Sequence, residues 1–293
     1  MSVIVNTADD ITLHGLRICP DLDTMMYTLG GGNDTERGWG RADEGWRVMA
    51  ELAAYQQEPT WFSLGDRDLG THLVRAQLLA QGLTPTQVTA RLARRWLPAA
   101  GIRLLPMTDQ PVETRLTISD ADGVREVHFQ EYWVRYHAAP RITQLWTEGL
   151  DRARPSEAVT EAIEQADVVL VAPSNPVVSI SPIINVPGMI DLLVNAAAPI
   201  VGFSGIIAGA PLLGMAHKLL PVIGVEVSAA AVARFYGARA RGALLDAWVV
   251  DNADAAAVPG LVADGIATGA TDLLMRTPEA TADIIRFGLG LLA

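Results

Sequence analysis

A chain of 293 residues with a formal charge of −11, half of it hydrophobic and with a mean hydropathy of +0.24, has ample material for a buried core. That acidic balance excludes a general nucleic-acid or anionic-membrane binder, which needs a basic surface, but it leaves room for an anionic small molecule held at a local cation. One cysteine, Cys19, excludes an internal disulfide framework and a cysteine-based zinc cluster, and it fits a reducing, cytoplasmic setting.

The opening MSVIVNTADD has no basic n-region and no long apolar stretch, so no secretory leader is expected. Its apolar run, Val3–Asn6, is too short for a helix and ends in polar residues. DLDTMMYTLGGG (21–32) predicts a helix with Asp21 or Asp23 at its N-terminus and Gly30–Gly32 stopping it. Residues 43–55 place Trp46, Met49 and Leu52 on one face at helical spacing. TWFSLGDRD (60–68) reads as a strand running into a turn. Leu69–Gln81 is helical up to Gly82, and Thr84, Pro85 and Gln87 open the next helix with a capping box.

From about 103 to 147 the pattern alternates apolar and polar residues, and DADG (120–123) is a hairpin turn, which predicts an antiparallel insertion. SEAVTEAIEQAD (156–167) restores a helix. VVLVAPSNP (168–176), PIVGFSG (199–205) and AWVVDN (247–252) are strands that run into polar loops, VPGMIDLLVNA (186–196) is a helix, and the C-terminal helix is capped by Thr277. The uncharged stretch 192–216 is long enough to span a bilayer, but Pro199, Pro211 and its glycines break it into a strand and a glycine-rich loop. The pattern is α/β alternation interrupted once, with strand ends feeding loops on one edge of a parallel sheet.

Four junctions carry the chemistry: VIVNTADD, FSLGDRDLGTH, VLVAPSNP and VGFSG. Asp9, Asp10, Asp21 and Asp23 crowd one short stretch beside only Arg17 and His14. Such oxygen donors suit magnesium, which takes one or two carboxylates and completes its shell with water and phosphate; helix capping is the competing reading for Asp21 and Asp23. In GDRD, Asp66 and Asp68 flank Arg67, a guanidinium suited either to a phosphate or to a surface ion pair. Ser174 and Asn175 offer a hydroxyl and a two-faced amide, and GFSG (with Ser204) and the following GAP allow close backbone approach to a ligand, although tight turns need the same residues. The five histidines show no HxH or HExxH spacing, so zinc is not expected; His72 alone neighbours a candidate site.

NTADD (6–10), GLRICPDLDTMMYTLGG (15–31), SLGDRDLGTHLVR (63–75), LPMTDQPVETRL (105–116), FQEYWV (129–134), APSNPVVSISPII (172–184) and GMAHKLLPVIGVEVSAAAVARFYG (214–237) occur in one order along the chain. Together they resemble the 2-phospho-L-lactate transferase family, in particular its actinobacterial branch of phosphoenolpyruvyl transferases in coenzyme F-420 biosynthesis. The resemblance implies a Rossmann-like parallel sheet core at 1–83 and 150–293, an inserted small α+β domain at 84–149, a homodimer and Mg2+. It implies transfer of a phosphoenolpyruvyl or 2-phospho-L-lactyl group from a guanosine diphosphate-linked three-carbon acid to the deazaflavin alcohol FO, with release of GMP. On that reading Asp9, Asp10, Asp21 and Asp23 hold the metal, and Asp23 and Arg67 are catalytic. Asp23, Ser63, Asp66, Thr71 and His72 contact substrate, as do Ser174, Asn175 and Ser204 toward the nucleotide. Methanogen-type members often carry lysine at the position of Ser63.

Members ordinarily begin with a further strand and a GGxGG loop ahead of the strand ending in NTxDD, whereas this sequence starts at that second strand. The expectation is a first strand lacking one sheet neighbour and a donor site short of backbone amides. Two other readings stand beside the enzyme: a non-catalytic nucleotide-sugar-binding regulator of the related gluconeogenesis-factor family, and a truncated, inactive homologue.

Overall fold

The computed structural model describes residues 1–98 and 101–292. The chain runs through β1 (Ser2–Val5), a hairpin of β2 (Ile11–Leu13) and β3 (Leu16–Ile18), then helices α1 (Pro20–Leu29), α2 (Arg47–Ala54), α3 (Asp66–Ala80) and α4 (Pro85–Trp96). It then returns as β4 (Arg103–Pro106), which pairs in parallel with β1 from Ser2↔Arg103 to Val5↔Pro106. The hairpin turn is His14–Gly15, both with positive φ (50° and 76°), the two-residue turn whose twist matches antiparallel strands.

Helix α1 starts at Pro20, where a missing N–H costs nothing. Asp21 and Asp23 lie in its first turn, where the helix dipole favours negative charge, but neither caps it: Cys19 occupies the cap position and no side chain bonds there. Apolar residues of α1 and α4, among them Leu22, Met26, Tyr27 and Ala93, close over Val5 and Leu104. The capping box at Thr84 and Gln87 forms as the sequence predicts.

The expected strand at 60–68 is absent. The segment is a loop that buries Phe62 and Leu64 against Leu69, and GDRD is the start of α3 rather than a turn after a strand. Its backbone explains this: the Asp66 amide bonds the Gly45 carbonyl (2.9 Å) and the Arg67 amide bonds Glu44 Oε2 (2.8 Å), so the segment pairs with a loop and not with a strand. The predicted antiparallel region is a three-stranded sheet, ordered β6–β5–β7, of β5 (Glu113–Asp120), β6 (Gly123–His128) and β7 (Arg141–Glu148). The DADG turn joins β5 to β6, and Gly123 there takes a φ of 107°. All these elements lie in one compact unit, Met1–Val159.

The second unit, Thr160–Ala293, holds β8 (Val169–Val171), β9 (Ile200–Phe203), a short hairpin of β10 (Ile206–Ile207) and β11 (Ala210–Pro211), then β12 (Ala247–Asp251) and β13 (Ala267–Thr271). Four of these form a parallel sheet ordered β13–β12–β9–β8. Val201, Phe203, Ala247 and Val249 pack with Leu273 and Ile284 beside it, the continuous apolar strands expected of a parallel sheet. In the 192–216 stretch the chain is partly helical, partly β9 to β11, and among the described residues no single helix is long and apolar enough to cross a membrane.

Gly202 in β9 stands opposite Trp248 in β12, and a Cβ there would lie 2.6 Å from the indole ring. Trp248 is fully buried and cannot swing away. Gly202→Ala is therefore expected to cost about 1–3 kcal/mol by overpacking, read as a lower urea midpoint with an unchanged slope.

Candidate active site in the first unit

The strand β1 ends in Asn6, and Asn6 Oδ1 accepts from the Ala8 amide (2.9 Å), turning the chain back on itself. Asp10 N–H closes the turn on the Thr7 carbonyl (3.3 Å). Asp9 and Asp10 are buried, 4% and 5% exposed, and the Oδ1 atom of each lacks a hydrogen-bond partner. Asp10 Oδ2 lies 3.7 Å from Arg17 Nε, and Asn6 Nδ2 donates to Asp21 Oδ2 (2.9 Å). Burial lifts all three carboxyls. Asp9 is driven well above the usual range by burial and then by the charge of Asp21. Asp10 is pushed up to about 7 by burial that the Arg17 charge only partly offsets, and Asp21 is raised by burial against the Asn6 hydrogen bond.

Helices α1 and α3 build the adjoining half of the cluster. Asp68, Thr71, His72 and Arg75 stand at i, i+3, i+4 and i+7, so α3 presents them on one face. Arg75 Nη2 donates to Asp23 Oδ1, and Arg75 Nη1 lies 3.0 Å from His72 Nδ1. Because a guanidinium has only donors, His72 Nδ1 accepts and Nε2 carries the proton. That Nε2 sits 3.4 Å from Asp68 Oδ2 without the alignment of a hydrogen bond. Tyr27 donates to Asp68 Oδ1 (2.5 Å) and lies 2.8 Å from Thr71 Oγ1. Asp23 is 3% exposed, its Oδ2 atom has no hydrogen-bond partner, and burial raises its carboxyl against the pull of Arg75 and His72. For Asp68 burial is outweighed by His72, Tyr27 and Arg75, and its carboxyl falls below the ordinary range.

The two halves are electrically one group. Asp10 and Asp23 both feel Arg75, and Asp9 and Asp10 both feel Asp21. Asp23, Asp68 and His72 offer atoms within 4.8 Å of one another and can hold a metal ion. In this hydrogen-bonding arrangement, though, the imidazole nitrogen facing the carboxylate bears a proton and the other is taken by Arg75. Among the described residues, the buried oxygens here without a hydrogen-bond partner are Asp9 Oδ1, Asp10 Oδ1 and Asp23 Oδ2, with the hydroxyls of Thr7 and Thr114. A hard divalent cation such as magnesium suits that donor set.

Asp9, Asp10, Asp21 and Asp23 are thus linked by charge, while the one group of three or more potential metal ligands within 4.8 Å of one another among the described residues is Asp23, Asp68 and His72. Three other candidates lie at or just before the start of α3. Ser63 is exposed. Asp66 accepts the Arg47 and Val48 amides (3.2 and 3.0 Å) and so caps α2. Arg67 has a side chain 54% exposed and 3.7 Å from Asp43. In the second unit, Asn175 Oδ1 accepts the Val177 and Val178 amides (3.0 and 3.3 Å), Ser174 is exposed, and Ser204 Oγ bonds Ile206 at both its carbonyl and its amide (2.7 and 3.1 Å). A Cβ on Gly205 would lie 3.0 Å from the Pro173 carbonyl, so this loop packs against the PSNP segment. Sequence reasoning missed Arg75 and Tyr27 as members of the cluster. The i, i+3, i+4, i+7 run of Asp68, Thr71, His72 and Arg75 was the available signal for Arg75, hidden while GDRD was read as a turn.

The sequence matches the family model for 2-phospho-L-lactate transferase CofD over residues 1–264. The chain belongs to the CofD family. It is 54% identical over 291 residues to the phosphoenolpyruvate transferase of Kitasatospora aureofaciens, spanning 99% of this chain and 89% of that one. Against the phosphoenolpyruvate transferase of Mycolicibacterium smegmatis it is 52% identical over 293 residues, covering 99% and 88%. Among solved structures, a UPF0052-family protein of Bacillus halodurans superposes with a TM-score of 0.54 at 16% identity, over 97% of this chain and 90% of that one. That likeness speaks to the fold alone, a Rossmann-like α/β architecture.

Proposed function

We propose that this CofD-family transferase moves a phosphoenolpyruvyl, or 2-phospho-L-lactyl, group from a guanosine diphosphate-linked donor to FO. The ribityl hydroxyl oxygen of FO attacks the phosphorus bearing the three-carbon acid, the bond from that phosphorus to the bridging oxygen breaks, and GMP leaves with the electron pair. Asp23 takes the hydroxyl proton. Its buried, raised carboxyl is a stronger base than an ordinary surface aspartate, and Arg75 fixes its orientation. Arg67 holds Asp43 only loosely at the surface, so a phosphate can displace that partner.

The observation that carries this reading is the set of buried carboxylate oxygens on Asp9, Asp10 and Asp23 that have no hydrogen-bond partner in the protein. Together with Asp21 they would hold Mg2+, which when bound supplies charge neutralisation to a transferring phosphoryl group. By family resemblance, Asp23 and the segment around Ser63 serve the acceptor, and Ser174, Asn175 and Ser204 serve the guanosine diphosphate portion, with Asp66, Thr71 and His72 as further substrate contacts.

Incubating the protein with FO, Mg2+ and each guanosine-linked donor, with mass analysis of the product, tests the proposal. A product heavier than FO by the donated group, formed only with Mg2+ and accompanied by GMP, is the expected result. FO binding with no product under any donor overturns the catalytic reading in favour of an inactive homologue, and binding of UDP-sugars without FO favours the regulator.

A further inference from the structure

Among the motifs picked out in the sequence, FQEYWV is one that the proposed chemistry leaves without a task. In the structure its first residues lie at the end of β6, over the NTADD turn. Three successive carbonyls of that turn are taken from one side. The Thr114 amide, in β5, bonds the Ala8 carbonyl (2.6 Å), Gln130 Nε2 bonds that of Asp9 (3.3 Å), and His128 Nε2 bonds that of Asp10 (3.2 Å). Both side chains are buried, His128 at 5% exposed and Gln130 at 6%. The Gln130 amide donates to His128 Nδ1 (3.0 Å), so Nδ1 is the acceptor and the Asp10 carbonyl receives the Nε2 proton.

We infer that His128 and Gln130 are positioning residues for the acidic loop. The antiparallel sheet holds the backbone of Asp9 and Asp10 by its carbonyls, so the two carboxylates are presented without spending their own Oδ1 atoms on the protein. A turn carrying two adjacent acids repels itself, and three hydrogen bonds to successive carbonyls fix it against that repulsion. The arrangement matches the outer shell of metal sites, where groups behind the ligands set their orientation and their loss weakens binding by about 10–100-fold. The inference rests on the metal reading above for its purpose, but the clamp itself is a property of the chain.

The test pairs two measurements on His128→Phe, Gln130→Leu and His128→Gln, the last keeping an N–H donor near the position of Nε2. Hydrogen exchange reads the order of the turn that the clamp holds: Phe and Leu are expected to lose protection at the Ala8 and Asp10 amides while β1 and α1 keep theirs, and Gln is expected to retain it. Titration with Mn2+ as a spectroscopic probe reads the purpose: the first two variants are expected to need about 10–100-fold more metal, and His128→Gln only a few-fold more. Unchanged exchange in the first two variants overturns the clamp. Lost protection with unchanged Mn2+ affinity overturns its role toward the metal. Lost protection in a protein whose wild type binds no Mn2+ overturns the metal reading and leaves the clamp standing.

Discussion

Replacing Asp23 by Asn is expected to lower kcat about 10²–10⁴-fold, the usual contribution of a positioned acid–base group, with a smaller change in KM for FO. The substitution also reaches the fold. Asp23 and Arg75 are both buried and joined, and removing one charge from such a pair leaves the other unpaired at a cost of up to about 3–5 kcal/mol. A loss of activity alone would thus confound chemistry with stability. The double variant Asp23→Asn, Arg75→Gln separates them, since it removes both charges: urea unfolding is expected to recover most of the lost stability while turnover stays at the level of the single variant. Normal turnover in a folded Asp23→Asn protein would remove this residue from the chemistry.

How much of this was legible before the structure differs by element, and the reasons are physical. Local signals were read well: the Thr84–Gln87 box, the DADG hairpin and the α/β alternation each depend on residues within one turn or one strand. The acidic loop was legible because four aspartates with little compensation are costly anywhere in a fold. Two things were hidden. TWFSLG has the texture of a strand, but its backbone finds partners in the loop at Gly45 and Glu44, and nothing local announces that. Reading GDRD as a turn hid its place at the start of α3 and left Arg75 out, although helical periodicity from Asp68 leads straight to it. The carbonyl clamp lay beyond any local reading, because Asp10 and His128 are 118 positions apart.

The second large effect concerns pH and Mg2+ together. The Asp10 carboxyl titrates at 3.8 in an unfolded chain and at about 7 in the fold, because burial penalises its charge. Between those values the unfolded chain gives up a proton that the folded one keeps, so stability falls as pH rises through the window, and the full penalty is present above about 7. The gap is worth up to about 4 kcal/mol. Asp9, Asp21 and Asp23 shift in the same direction, while Asp68, lowered in the fold, adds stability that is lost only in more acid solution. A divalent cation reverses the penalty by favouring the ionised carboxylates, so its stabilisation must grow with pH. Thermal unfolding with and without millimolar Mg2+ is expected to show little difference near pH 5 and a clear one near pH 8, about 2.7 kcal/mol when the metal stands at a hundred times its dissociation constant. Asp10→Asn should flatten the metal-free decline and shrink the Mg2+ increment. An increment equal at both pH values would mean that the cation binds away from the buried carboxylates, and the acidic loop would then be a burden of the fold with no ion to justify it.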